Sequence, residues 1–193
     1  MRLSSLYSYY RKFFNYPSNS SAARSRLYAF AIQDTTEVLT QAYENRSKKP
    51  IEDYRTREKK SGIALRFLEH AEELACSRCS IPLQDLEFIQ GIITINEKFL
   101  SSTRRGIEIP FPYLLDNNNS DAVILTFGQP NNMLGEVEVL VGLINEFAFD
   151  GSWPNELETI SYWDLSSGEE KTLKLSGVKP VSRIPLLEVL NRF

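Results

Sequence analysis

The chain has 193 residues, of which 42% are hydrophobic and 24% charged, with a net charge of -3. This length is enough for one domain with a sizeable core, and no apolar run approaches the roughly 20 residues of a membrane-spanning helix. The two cysteines cannot form a disulfide framework, so a disulfide-stapled scaffold is excluded. We expect a soluble protein of a reducing compartment, the cytoplasm.

Residues 1–33 contain no acidic side chain and are rich in Arg and Ser. Large apolar side chains recur there at helical spacing: Leu3, Leu6, Tyr7, Tyr10, Phe13 and Phe14. We interpret the segment as an amphipathic helix that packs this stripe on the core. A composition rich in Arg and Ser and poor in acids is also typical of a mitochondrial transit peptide, so a mitochondrial location is the alternative.

The sequence that follows has the periodicity of helices. Residues 22–46 carry apolar side chains near one helical face and predict one helix. Pro50 predicts the start of the next helix, which we expect to run to about Ala75. Gly62 weakens the middle of that helix and marks a possible bend.

Ser80 and Pro82 predict the cap and the first turn of a further helix, because serine caps helices and proline fits the first turn. The isoleucine-rich sequence that continues to Leu100 makes this the most hydrophobic helix candidate, and we place it centrally. The prolines of residues 109–112 end the helical half, since proline lacks a backbone donor.

After residue 115 the pattern becomes that of strands. Residues 122–127 form a short β-branched apolar run, and in residues 136–141 valines alternate with glutamates as in a half-buried strand. Residues 160–165 and 171–175 flank a loop that contains glycine, which predicts a hairpin. Residues 185–193 predict a short closing helix.

Helices followed by strands favour the α+β class. We predict a single domain spanning residues 1–193, with about four helices in a helical part (about 1–105) and a mainly antiparallel sheet in a strand-rich part (about 116–193). The helical part packs on the sheet or precedes it in the chain.

Cys76 and Cys79 form a C-x-x-C motif, and His70 is the only histidine. A redox thiol usually lies at a helix N-terminus, whereas this pair follows the predicted end of a helix. A zinc site would recruit His70 as third ligand and would still need a fourth. We interpret the cysteines as inert, with redox and metal roles as alternatives, and predict neither a cofactor nor a metal.

Short catalytic signatures are absent from the sequence. It contains no G-x-x-x-x-G-K-[ST], no G-x-G-x-x-G and no G-x-S-x-G motif, so neither nucleotide binding nor a nucleophile elbow has motif support. We therefore lean toward a protein that is not an enzyme.

Charge is distributed unevenly along the chain. Residues 1–60 hold 12 Lys or Arg against 6 Asp or Glu, a net of +6, whereas residues 61–193 hold 10 against 19, a net of -9. Residues 106–170 contain 12 acids and no Lys or Arg. Opposed fields of this kind affect the choice of partner and the rate of association.

Trp153 lies within this acidic region, in the turn sequence of residues 150–154. Tryptophan is a favoured anchor at interfaces, and an acidic field suits a basic partner. We predict a protein-binding module, such as an inhibitor, an immunity-type protein or an adaptor, that engages a basic protein. The predicted binding residues are Trp153, Glu136, Glu138, Asp150, Glu156, Glu158 and Asp164.

Two alternatives remain. In a carboxylate-dependent hydrolase or transferase, Glu136 and Glu138 would lie on one side of a strand, and Asp164 would face them. In a nucleic-acid-binding protein, the basic N-terminal helices would contact phosphates. Their densest basic patch consists of Lys48, Lys49, Arg55, Arg57, Lys59 and Lys60.

Overall fold

The computed structural model describes residues 26–96, 99–100, 106–118, 120–128, 132–151, 153–154 and 157–191. The amphipathic helix predicted from the start of the chain lies outside these residues, as does Glu156.

Six helices and six strands are described. The helices are α1 (Arg26–Glu44), α2 (Lys49–Thr56), α3 (Gly62–Arg78), α4 (Pro82–Asp85), α5 (Met133–Glu146) and α6 (Arg183–Leu190). The strands are β1 (Leu86–Ile95), β2 (Ile107–Asp116), β3 (Asp121–Thr126), β4 (Ala148–Asp150), β5 (Thr159–Asp164) and β6 (Glu169–Lys174). A 3-10 turn, Leu175–Gly177, follows β6.

The strands form one sheet in the order β4-β1-β2-β3-β5-β6. Only β3 and β5 pair in parallel, and α5 lies in the connection between them; the other described neighbours are antiparallel. The α+β prediction with a mainly antiparallel sheet is therefore confirmed.

Helices cover both faces of the sheet. On one face, which we call the helical face, α1, α2 and α3 bury apolar side chains against Leu86, Leu114 and Trp163. On the other, the α5 face, α5 and α6 pack against side chains such as Ile93 and Tyr162. The N-terminal helices thus pack on the sheet, and two cores share it as a common wall.

The prediction of a hydrophobic helix from Ser80 to Leu100 is wrong. Only the four residues of α4 are helical, and β1 follows directly. Ile89, Ile93 and Ile95 are buried on the α5 face, whereas Leu86 is buried on the helical face. Isoleucine is β-branched and fits a sheet, and a dense apolar run does not distinguish a helix from a buried strand.

The two prolines that we expected to end the helical half instead lie inside β2. Pro110 pairs with Ile92 and Pro112 with Gln90 of β1. Backbone donors alternate between the two neighbours of a strand, so prolines two residues apart lose donors on the same side. Strand β3 pairs with β2 only at residues 114 and 115, which leaves the proline-bearing part of β2 without a partner on that side among the described strands.

The strand predicted at residues 136–141 is also wrong, because these residues belong to α5. Four of its side chains are fully buried although they point in different directions around the helix axis: Val137, Val139, Leu140 and Leu143. A helix that is buried around most of its circumference can carry valines at alternate positions, and this sequence pattern is the same as that of a half-buried strand.

The single helix predicted from Pro50 to about Ala75 is two helices, α2 and α3. The Ser61 side chain accepts a hydrogen bond from the Ala64 amide at 3.3 Å, so it caps α3 and makes Gly62 the first residue of that helix. The predicted hairpin and closing helix are confirmed: the hairpin is β5–β6, with Gly168 at φ 74 in its turn, and the closing helix is α6.

Candidate functional site

Strand β4 is a three-residue edge strand that pairs with β1. Its central residue, Phe149, lies over Gly91 of β1, where an added Cβ would come within 2.6 Å of the phenyl ring. Gly91 is therefore required for the ring to lie flat on the strand. The next residue, Asp150, is exposed on the opposite face of the sheet.

Trp153 follows this strand and packs against three other rings. The indole centroid lies 5.5 Å from Tyr113, 6.0 Å from Phe111 and 6.3 Å from Phe149. Phe111 and Tyr113 are themselves stacked at 5.2 Å. Trp153 remains partly exposed, although these three rings hold it in place. We call Phe149, Asp150 and Trp153 the β4 patch.

Tyr113 forms the floor of this aromatic cluster and is fully buried. Burial raises the pKa of the Tyr113 phenol, and the negative charge of Glu87 raises it further. The hydroxyl therefore stays protonated at neutral pH, and the local charge around the cluster comes from carboxylates such as Glu87 and Asp150.

Of the six predicted binding residues that the structure describes, only Asp150 and Trp153 lie in or just after β4, and they are on opposite faces of the sheet. Glu158 and Asp164 lie at the two ends of β5, four strand positions from β4, which corresponds to about 19 Å at about 4.8 Å per strand. Asp164 is buried and accepts hydrogen bonds from the Ser166 amide at 2.9 Å and the Ser167 hydroxyl at 3.0 Å. It stabilises the β5–β6 turn.

Glu136 and Glu138 do not share one side of an element. Two residues apart in α5, they point about 200° apart around the helix axis. Both are partly buried, and the Glu138 carbonyl accepts a hydrogen bond from the Val181 amide at 3.0 Å. The prediction that Glu136 and Glu138 lie on one side of a strand, as a pair of catalytic carboxylates would, is therefore wrong.

Sequence reasoning missed a polar cluster around Arg78, at the end of α3. Its guanidinium forms ion pairs with Asp121 of β3 and Glu170 of β6 and donates a hydrogen bond to the Ser161 hydroxyl at 3.1 Å. The Thr159 hydroxyl donates to Asp121 at 2.6 Å. No local motif connects these residues, because they are 43 to 92 positions from Arg78 along the chain and only the sheet brings them together.

His70 and the cysteines occupy separate places on α3. The His70 Nδ1 atom lies 2.8 Å from the Leu165 carbonyl, and its ring contacts Gly168, so it joins α3 to the β5–β6 turn. Cys76 is exposed, and burial raises the pKa of the partly buried Cys79 thiol, with a further increase from Asp85. Within the described residues, no three His, Cys, Asp or Glu side chains are grouped as metal ligands would be.

The basic patch of the N-terminal helices is exposed and partly neutralised. Arg55 pairs with Glu72, and the Arg57 guanidinium lies 5.2 Å from the centroid of the Tyr54 ring. A shallow groove of about 210 Å³ separates α1 from α2. Its lining includes Lys49 and Arg57, together with Asp53, which lowers its positive potential.

No protein-family model, curated protein or solved structure matches this chain. Across the described part of the chain, every helix is too short or too polar to span a bilayer.

Proposed function

We propose that this protein is a non-enzymatic protein-binding module, of the inhibitor, immunity-type or adaptor kind, that engages a basic partner protein through the β4 patch. The observation that carries the proposal is the position of Trp153, which is partly exposed and held by three neighbouring rings.

A ring fixed in this way favours binding because little side-chain entropy is lost when a partner covers it. Immobilising a flexible side chain at an interface costs about 0.5–1.5 kcal/mol, whereas the Trp153 ring is already positioned. Tryptophan residues at the centre of interfaces also contribute large shares of the binding energy.

The charge of the region supports a basic partner. Asp150 is exposed on the other face of the same edge strand, and residues 106–170 contain no Lys or Arg that could repel a cation. An arginine of the partner could stack on the indole of Trp153, while a second basic side chain pairs with the Asp150 carboxylate on the other face of the edge strand. We expect such a partner to bind faster at low ionic strength.

The test is capture of partners by the immobilised protein from native extract at low salt, followed by elution with rising salt. Trp153→Ala and Asp150→Lys should each lose the captured basic protein, with a decrease of at least about tenfold for loss of a central tryptophan. Glu158→Lys is the matched control, because it makes the same charge change at an exposed site about 19 Å away.

Two results would count against the proposal. If Glu158→Lys removed the captured protein as completely as Asp150→Lys, the effect would be one of net charge and not of the β4 patch. If Trp153→Ala captured the partner at the wild-type level and kept the wild-type free energy of unfolding, the aromatic cluster would be a core feature without a role in binding.

A further inference from the structure

Strand β6 (Glu169–Lys174) lies at the edge of the sheet opposite to β4. It pairs with β5 on one side, and no described strand lies on its other side. All of its side chains are exposed except that of Leu173, which is partly buried, so the edge is open to solvent. An exposed edge strand is a template for pairing with a further strand.

The even-numbered residues of β6 direct their backbone groups outward. The Leu175 amide, just after the strand, donates to the Glu158 carbonyl at 2.8 Å, so the odd-numbered residues bond toward β5. Thr172 lies opposite Ser161, and their hydroxyls are hydrogen-bonded at 2.9 Å, as in a close pair that exchanges no backbone bonds. Because bonding alternates along an antiparallel strand, the amides and carbonyls of the even-numbered residues point away from β5.

The even-numbered side chains of β6 also share the helical face of the sheet. Glu170 pairs with Arg78, and Thr172 contacts Ser161, whose hydroxyl accepts a hydrogen bond from Arg78. Leu173, by contrast, packs with the core of the α5 face. When two copies of a strand pair antiparallel about a twofold axis, the axis is perpendicular to the sheet, and opposite residues lie on the same face. A second copy must therefore pair even-numbered residues with even-numbered residues.

Charge selects one register among those that this rule allows. With Thr172 on the axis, Glu170 lies opposite Lys174 of the second copy, and the two threonines face each other. With Lys171 on the axis two lysines oppose each other, and with Glu170 on the axis two glutamates do. With Leu173 on the axis, the overlap shortens to the last half of the strand. Opposite charges and threonine pairs stabilise antiparallel strands, whereas like charges directly opposite destabilise them.

We propose that β6 pairs antiparallel with β6 of a second copy of this chain, with the twofold axis at Thr172. The strands exchange backbone hydrogen bonds between the two Thr172 residues and between Glu170 and Lys174, and the two sheets become one continuous sheet. Charged side chains usually protect an edge strand from pairing. In β6 the order of the charges along the strand instead makes the edge complementary to itself.

This dimer is independent of the proposed protein-binding function. Strand β4 lies at the opposite edge of the sheet, five strand positions or about 24 Å away. Pairing through β6 leaves the β4 patch of each copy free. Failure of one proposal therefore leaves the other standing.

The first test is amide hydrogen exchange of the whole protein, followed by NMR at low and high protein concentration. We expect a reversible dimer with a Kd on the order of 10–100 µM, since two short strands form a small interface. The amides of Glu170, Thr172 and Lys174 should exchange slowly only in the concentrated sample. Those of Lys171 and Leu173 bond toward β5 and should be protected in both samples. Fast exchange of the even-numbered amides at both concentrations would overturn the proposal.

The second test is sedimentation equilibrium of charge variants. Lys174→Glu should weaken the dimer by at least about tenfold, because both Glu170–Lys174 pairs become pairs of like charge. Lys59→Glu is the matched control, since it makes the same charge change at an exposed residue before α3, whereas β6 contacts Arg78 at the end of that helix. The control should keep the wild-type Kd. Equal Kd values for wild type and Lys174→Glu, or equal weakening by both variants, would contradict pairing through β6.

An equimolar mixture of Lys174→Glu and Glu170→Lys tests the register. Each variant alone places like charges opposite each other, whereas the mixed dimer has opposite charges at both positions. We expect the mixed dimer to be at least about tenfold tighter than either variant alone, and a mixture no tighter than the separate variants would overturn the register. Glu170→Lys also loses its contact with Arg78, so its urea unfolding is measured first; the hydrogen-exchange test needs no variant.

Sedimentation of the wild type also decides between a second copy and another occupant of the edge. A protein that stays monomeric at about 1 mM would overturn the proposal and leave the β6 edge to a strand of a different protein.

Discussion

Tyr43 and Tyr54 are both buried in the helical layer, but their hydroxyls have different surroundings. The Tyr54 hydroxyl connects Asp34 of α1 to the first turn of α3 through the Ser61 amide. Burial raises the pKa of the Tyr43 phenol, and the nearby Cys79, Cys76 and Glu72 raise it further.

The buried Tyr43 phenol makes stability depend on pH at the alkaline end. Its pKa is raised in the folded protein by burial, whereas an unfolded tyrosine titrates near about 10. Above that pH the unfolded chain has lost the proton that the folded state keeps, so the free energy of unfolding falls as pH rises. The slope for one tyrosine approaches about 1.4 kcal/mol per pH unit.

Urea unfolding measured at about pH 9 and about pH 11 checks this prediction. Tyr43→Phe should lose less stability over this interval than the wild type, because the variant no longer carries the buried phenol. An equal loss in both proteins would show that Tyr43 ionises in the folded state without a penalty.

At the scale of elements, α5 is held by the loop that precedes α6. The Val181 amide donates to the Glu138 carbonyl, and an added Cβ at Gly142 would lie 2.3 Å from the Val181 carbonyl oxygen. Glycine at position 142 therefore lets this loop cross the helix at close range.

Gly142→Ala should destabilise the protein by about 3 kcal/mol, since the loop must move away from α5. Gly62→Ala is the control, because an added Cβ there meets nothing within 4 Å at the first residue of α3. That variant should be more stable than the wild type by about 0.5 kcal/mol. Chemical denaturation of both variants tests the pair, and an unchanged midpoint for Gly142→Ala would contradict the close packing.

The elements that local patterns predicted correctly are those with an unambiguous signal. The β5–β6 hairpin has two strands around a glycine turn, and α1 has a clear helical stripe. Strand β1 was predicted as a helix and α5 as a strand because β1 exposes only Glu87 and Gln90 and α5 buries residues around most of its circumference. Neither therefore shows a continuous polar face that would reveal its period. The β4 patch was anticipated only at Trp153 and Asp150, since the order of strands in the sheet decides which residues meet.

At the scale of the whole molecule, Arg78 connects the helical layer to three strands of the sheet, β3, β5 and β6. Its side chain is 23% exposed and that of Asp121 is 8% exposed, so the pair is largely shielded from water. Breaking a buried ion pair by removing one partner is more harmful than replacing both, because the remaining charge stays unpaired.

Arg78→Met should destabilise the protein by about 3 kcal/mol. Asp121→Asn in the same chain should restore part of that loss, because it removes the charge left without a partner. The free energies of unfolding of the two single variants and the double variant check this, and strictly additive effects would contradict a direct ion pair.

In the proposed function, the β4 patch recognises a basic protein by charge and by the indole of Trp153. The most direct measurement is the affinity of the captured partner for the purified protein as a function of salt concentration, with wild type and Asp150→Lys in parallel. We expect wild-type affinity to fall as salt rises, because screening weakens the attraction. Asp150→Lys should bind weakly at every salt concentration. A wild-type affinity that does not change with salt would contradict electrostatic recognition by this surface.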